Sequence, residues 1–234
     1  MSSLPLLATG RGALGDGGVD AQGRISPLEF IPIAEETKLI VPLGYEIIRK
    51  ALQFLQTLQS NGYSNLHISI NISAIQLLRG DFLPALERIV RDTGVSPECI
   101  NLEITESILA VNYQEINTIL GDLQALGMQI AIDDFGTGYS SLARERELNV
   151  NCLKIDKSFI DKLMHLEPEQ AITGDIISMA HKLGHCVVAE GVEHESQRQY
   201  LKAHGCDKIQ GYLVSRPLDP DAALELLSTE ARMG

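Results

Sequence analysis

Apolar and polar positions along the chain fall into a repeating unit: a short apolar run, a stretch with helical spacing, then a turn. The strand-like runs are Leu66–Ile72, Ile100–Thr105, Gln129–Phe135, Val150–Asp156, Cys186–Ala189 and Lys208–Leu213. Helical periodicity separates or follows them at 81–93, 112–126, 140–148, 168–183, 194–204 and 219–230. Ahead of them, Pro27–Glu36 and Pro42–Ser60 read as helices with proline at or near each start. In the second, Ile47, Ile48, Ala51, Leu52, Leu55 and Leu58 form one apolar stripe. Strands alternating with helices predict an α/β fold with a parallel sheet and right-handed crossovers. About six units are clear, whereas a closed (β/α)8 barrel needs eight. Residues 1–24 contain GRGALGDGGVDAQG and read as an irregular Gly-rich lead-in, so the expected domain is 25–234.

The ends of the strands carry the chemistry. In order they finish in Asn71, Glu103, Asp133-Asp134, Lys154, Glu190 and Gln210, with Glu106 and Glu193 one turn beyond two of them. In a parallel α/β sheet the carboxyl ends of the strands share one face, where sites form. A single acid after a strand is more often a helix cap, but capping does not explain Asn71, Lys154 and Gln210. Crowded carboxylates repel and take up protons unless cations separate them. Asn71, Glu103, Asp133, Asp134 and Glu190 offer only oxygen donors, which suits Mg²⁺ or Mn²⁺ rather than Zn²⁺ or copper. The Asp133-Asp134 pair suggests two ions bridged by a carboxylate, the arrangement used for in-line phosphoester hydrolysis. Lys154 can orient water or hold a phosphate oxygen; a Schiff-base role is disfavoured, because surrounding carboxylates raise a lysine pKa. Glu106 and Glu193 can equally support loops. Gly136-Thr137-Gly138 predicts a mobile loop over the site.

Composition narrows the partners. The 234 residues carry 19 Lys+Arg against 31 Asp+Glu, a net charge of −12, which disfavours nucleic-acid polymers and anionic membranes. No apolar run approaches the ~20 residues that span a bilayer, and Met1–Gly15 lacks the basic start of a signal peptide. A cytoplasmic location is expected, with Cys99, Cys152, Cys186 and Cys206 as reduced thiols. The GxGxxG match at Gly10–Gly15 lacks the strand and helix that a dinucleotide loop requires.

The strings ISPLEFIPIAEET, SINIS, NLEITES, IAIDDFGTGYSSL, LKID, VVAEGVE and IQGYLVSRPL, in this order, resemble the EAL-domain family of bacterial cyclic di-GMP phosphodiesterases. The resemblance runs from about Gly23 to the C-terminus and implies a modified (β/α)8 barrel that uses Mg²⁺ or Mn²⁺ to linearise cyclic di-GMP to pGpG. By motif match it makes Asn71, Glu103 and Asp133 metal ligands, gives Asp134 to a second ion, and completes the shell with Glu190. It makes Lys154 the water-orienting lysine with Glu193 near it, sets Gln210 at the edge of the site, and makes Glu106 the anchor of the DDFGTG loop, which in the family leads to a dimer contact. The family's first two strands, with the Glu-Ala-Leu motif and an arginine two places on, have no counterpart here; Gly12-Ala13-Leu14 lacks the carboxylate. A truncated or frame-shifted start would leave such a chain. Two expectations follow: a barrel missing its first two strands, and impaired catalysis. The alternative is an active phosphodiesterase whose missing ligand comes from a partner chain or the N-terminal segment. The open edges are expected to cause homodimerisation, strand exchange or pairing with residues 1–20. The charged Ala143–Glu147 stretch departs from the family's dimer-forming helix.

Overall fold

The computed structural model describes residues 5–8, 25–110, 112–136, 146–167 and 170–233. Seven parallel strands form one sheet in sequential order: β1 (Pro5–Ala8), β2 (His67–Asn71), β3 (Ile100–Thr105), β4 (Gln129–Phe135), β5 (Cys152–Ile155), β6 (Cys186–Ala189) and β7 (Lys208–Ile209). Among the described residues β1 and β7 are not paired with each other, so the barrel is open.

The helices are α1 (Pro27–Glu36), α2 (Ile40–Ser60), α3 (Ala74–Leu77), α4 (Phe82–Thr93), α5 (Tyr113–Ala125), α6 (Lys157–Lys162), α7 (Thr173–Leu183), α8 (Glu195–Ala203) and α9 (Pro220–Met233). The apolar stripe of α2 (Ile48, Ala51, Leu52, Leu55) is buried against the outer face of the sheet, where α4, α5 and α7 contribute Leu86, Leu120 and Ile177 to the same core. That face presents Ile68, Ile70, Leu102, Ile104, Ile130, Ile132, Leu153, Ile155, Val187 and Ala189. Paired residues of neighbouring strands share a face. The registers Asn71↔Glu103, Thr105↔Asp133 and Lys154↔Val188 therefore put the polar residues together on the inner face. Closed barrels fill that interior with branched apolar layers; here the core lies between sheet and helices instead.

Three expectations change. Residues 5–8, read as part of an irregular lead-in, are an edge strand: Leu6↔Ile68 and Ala8↔Ile70 pair in parallel. Apolar Pro-Leu-Leu-Ala can supply such a strand because an edge tolerates proline. Of the expected ways to cover β2, the fold uses the N-terminal segment.

The strand expected over Lys208–Leu213 is two residues long. Beyond Ile209 the chain bends, and Val192 N–H donates to Gln210 O (3.0 Å) while Leu213 N–H donates to Val192 O (3.0 Å). Gly211, at φ +154, is packed so tightly on the Val192 backbone that a Cβ would lie 2.3 Å from it.

Cys152 and Cys186 are disulfide-bonded rather than free, because β5–β6 register puts them side by side with Cα atoms 4.4 Å apart. Cys99 and Cys206 are free thiols. The helix expected at 140–148 and the loop after Gly136 fall largely on residues 137–145, outside the described residues. Short elements without a clear period, α3 and α6, are additions to the expected set.

Candidate metal and nucleotide site

Lys154 is the centre of the site. Its ammonium lies 2.7 Å from Glu103 Oε2, 3.2 Å from Asp133 Oδ1 and 2.5 Å from Glu190 Oε1, with only 3% of the side chain exposed. A buried lysine is tolerated only with such partners. Burial opposes its charge, but Glu103, Glu190 and Asp133 outweigh it and hold the pKa above that of a free lysine.

The adjacent aspartates would point to opposite faces of a regular strand. Register explains why they do not: β5 advances two residues from Leu153 to Ile155 while β4 advances three, from Ile132 to Phe135. The extra residue is a bulge, and Asp134 takes φ +55, a left-handed conformation that aspartate tolerates better than most residues. Asp134 N–H donates to Asp133 Oδ1 (3.0 Å), which fixes the turn. As a result Asp133, Asp134 and Glu190 bring carboxylate oxygens within 4.8 Å of one another. This all-oxygen trio from two strand ends fits a hard divalent cation.

Glu103 accepts from the Lys154 ammonium through Oε2 (2.7 Å) and is 2% exposed. Burial raises its pKa, Lys154 opposes the rise, and the Ser69 hydroxyl adds a hydrogen bond. Ser69 in turn accepts from Asn101 Nδ2 (2.8 Å). Ser69 and Asn101 are a supporting pair that strand-end reasoning passed over, although the period of two aligns them with Asn71 and Glu103.

Asn71 is partly exposed beside Glu103. Glu106 is buried, and its Oε2 accepts from Gly136 N–H (3.0 Å), which ties the chain just after the bulge to the end of β3. Glu193 does not join the Lys154 cluster. It pairs with Lys157 at 2.8 Å on the rim, and that hydrogen bond holds its pKa low. Asp156, also at a strand end, is the N-cap of α6, its carboxylate accepting from Ser158 N–H (3.0 Å). Gln210 directly follows β7, with its N–H donating to Ala189 O (2.8 Å).

Glu190 has its pKa pushed up to about 7, first by burial and then by Asp133 and Glu103, against the pull of Lys154. The folded chain therefore binds more protons here than the unfolded chain between the ordinary carboxylate range and pH 7. Stability in chelator is expected to fall as pH rises from about 5 to about 8, with Glu103 acting in the same direction. Urea midpoints across that range measure it, and midpoints that climb with pH would contradict the assignment. A bound dication relieves the repulsion, so Mn²⁺ should flatten the profile.

No helix of the described residues is long and apolar enough to cross a membrane. The EAL domain family pattern matches residues 18–217. The chain is 42% identical over 195 residues to the signaling protein YkoW of Bacillus subtilis, covering 83% of this chain and 24% of that protein. To the cyclic di-GMP phosphodiesterase NbdA of Pseudomonas aeruginosa it is 39% identical over 204 residues, covering 87% and 26%. A solved MucR phosphodiesterase in complex with c-di-GMP superposes with a TM-score of 0.82 at 35% identity, covering 87% of this chain and 83% of that one. The chain spans only about a quarter to a third of the length of the curated relatives it matches. With the fold, the strand-end carboxylates and the pattern in agreement, the chain belongs to the EAL domain family.

Proposed function

We propose that this chain is a cyclic di-GMP-directed domain of bacterial second-messenger signalling whose catalytic site is weakened but still holds cations and nucleotide. One observation carries the reading: Asp133, Asp134 and Glu190 converge beside Lys154, while the strand flanking β2 is Pro-Leu-Leu-Ala, with no carboxylate. Similarity to NbdA and to the MucR complex supports the nucleotide.

In this reading Asp133, Asp134 and Glu190 hold Mg²⁺ or Mn²⁺, with Asn71 and Glu103 extending the shell. The ion would acidify a bound water and neutralise phosphodiester charge. Lys154 has three N–H donors, taken by Glu103, Asp133 and Glu190. With Asp133 and Glu190 drawn to an ion, a donor would be freed for that water or a phosphate oxygen, and Glu103 would still hold the ammonium. Glu106 holds the segment after the bulge in place. Gln210 and Glu193 line the edge. Without a carboxylate on the flanking strand, the site would lack one charged oxygen donor. Each lost charge-stabilising contact of this kind costs about 10²–10³ in turnover.

The alternative is an active phosphodiesterase completed by a partner chain or the N-terminal segment; β1 joining the sheet beside β2 favours it. Incubation with cyclic di-GMP and Mn²⁺, with pGpG measured by chromatography, separates the two. We expect turnover at least about a hundredfold below an intact EAL domain, with cyclic di-GMP still binding in calorimetry. Turnover near the intact rate would sink the weakened reading, and no heat at high micromolar ligand would sink the binder.

A further inference from the structure

The disulfide between β5 and β6 lies on the face of the sheet that carries the site. Cys152 and Lys154 are two positions apart on β5; Cys186, Val188 and Glu190 follow the same spacing along β6 and just past its end. Residues two apart point to one face, and the registers Cys152↔Cys186 and Lys154↔Val188 align the two strands. The disulfide is therefore one pleat below Lys154, roughly 6.6 Å along the strand. On this inner face β5 and β6 are joined twice: covalently at their amino ends, and by the Lys154–Glu190 ion pair at their carboxyl ends.

The carboxylate trio depends on the spacing of these strands. Asp133 and Asp134 stand on β4 and Glu190 directly follows β6, with β5 between them. Their oxygens converge only while β6 keeps its place beside β5. On its other side β6 pairs with just Lys208 and Ile209 among the described residues. Both bonded cysteines are partly exposed, so a small thiol can reach the bond. The free thiols do not compete for it. Burial pushes Cys206 up to about 11 and raises Cys99, so both stay protonated and poorly nucleophilic at neutral pH.

We infer that Cys152 and Cys186 form a thiol–disulfide modification site that tunes the cation site above it, the closed bond favouring the cation. The inference rests on the cation reading above. The reductant is a low-molecular-weight thiol. Its thiolate attacks one sulfur, forming a mixed disulfide and releasing the other cysteine, which takes up a proton. A second thiolate attacks the mixed disulfide, frees the remaining cysteine to take its proton, and leaves as the oxidised dimer. Two electrons and two protons enter the protein, and β6 loses its covalent tie to β5. The coupling is reciprocal: the factor by which closure raises cation affinity is the factor by which the cation favours closure.

The test equilibrates the full chain in buffers of defined reduced-to-oxidised glutathione ratio, with Mn²⁺ as the probe. Alkylation and peptide masses give the fraction closed, and equilibrium dialysis after glutathione removal gives Mn²⁺ affinity. The oxidised chain should bind Mn²⁺ at least about fivefold more tightly than the reduced chain. Saturating Mn²⁺ should shift the thiol–disulfide equilibrium toward closure by the same factor. Cys152→Ser with Cys186→Ser should bind like the reduced chain in every buffer, which separates the effect from ion capture by freed thiols. The equilibrium shift is read on the parent alone, so it decides the matter even where that variant fails to fold. Equal Mn²⁺ affinity in the two states, or a pair that stays reduced in oxidised glutathione, overturns this inference and leaves the cation reading standing. A chain that holds no Mn²⁺ in either state overturns both together.

Discussion

Lys154→Met is expected to destabilise the protein by about 3–5 kcal/mol, the usual cost of removing one partner from a buried ion cluster. Methionine fills much of the same volume, so the loss is electrostatic rather than a cavity. Glu103, Asp133 and Glu190 would remain buried with their shared cation gone. Lys154 is what draws the pKa of Glu103 and of Glu190 downward. Without it both carboxyls rise further and hold protons at neutral pH. The deficit should therefore shrink as pH falls and the carboxyls protonate. It should also shrink on adding Mn²⁺, and by more than in the parent, because the ion replaces the missing charge. Urea denaturation with and without Mn²⁺ reads all three effects. A variant with the parent's midpoint would mean that Lys154 does not hold the cluster together.

Asp133→Asn should behave in the opposite way. In the metal-free protein it removes a charge that raises the pKa of both Glu103 and Glu190. Lys154 keeps its bonds to those two glutamates, and the asparagine carbonyl can still accept from Asp134 N–H. Stability in chelator should stay within about 1 kcal/mol of the parent or improve, as expected when repulsion is relieved. Cation affinity is the property that should fail. Outer-shell changes already cost 10–100-fold, so losing one carboxylate of a trio should cost at least about a hundredfold. Mn²⁺ retention after gel filtration measures it, and undiminished retention would show that the ion is held elsewhere. Together the two variants separate the ammonium's structural role from the carboxylates' ligand role.

Much of this architecture can be read from the pattern of residues. Strands β3, β4 and β6 follow the expected boundaries, because each is a short apolar run closed by polar residues. Helices α1, α4, α5 and α8 agree with their apolar period to within a residue or two. The failures share a cause. Pro-Leu-Leu-Ala has too little pattern to announce β1, and only the unpaired edge of β2 turns it into a strand. The run from Lys208 to Leu213 has β character, yet the bonds to Val192 bend it after two residues. Cys152 and Cys186 are 34 positions apart, and only strand register makes them neighbours.

The site divides along the same line. The order and chemical type of the strand-end residues, oxygen donors with one lysine among them, are properties of the sequence alone, because alternation of apolar strands with helices obliges those ends to share a face. Three things belonged to the tertiary structure. Glu193 is held by Lys157 rather than Lys154, Asp156 caps α6, and the bulge turns Asp133 and Asp134 to one side. Each depends on sub-residue register and on which neighbour lies within hydrogen-bond reach, and those distances arise only when the strands pair.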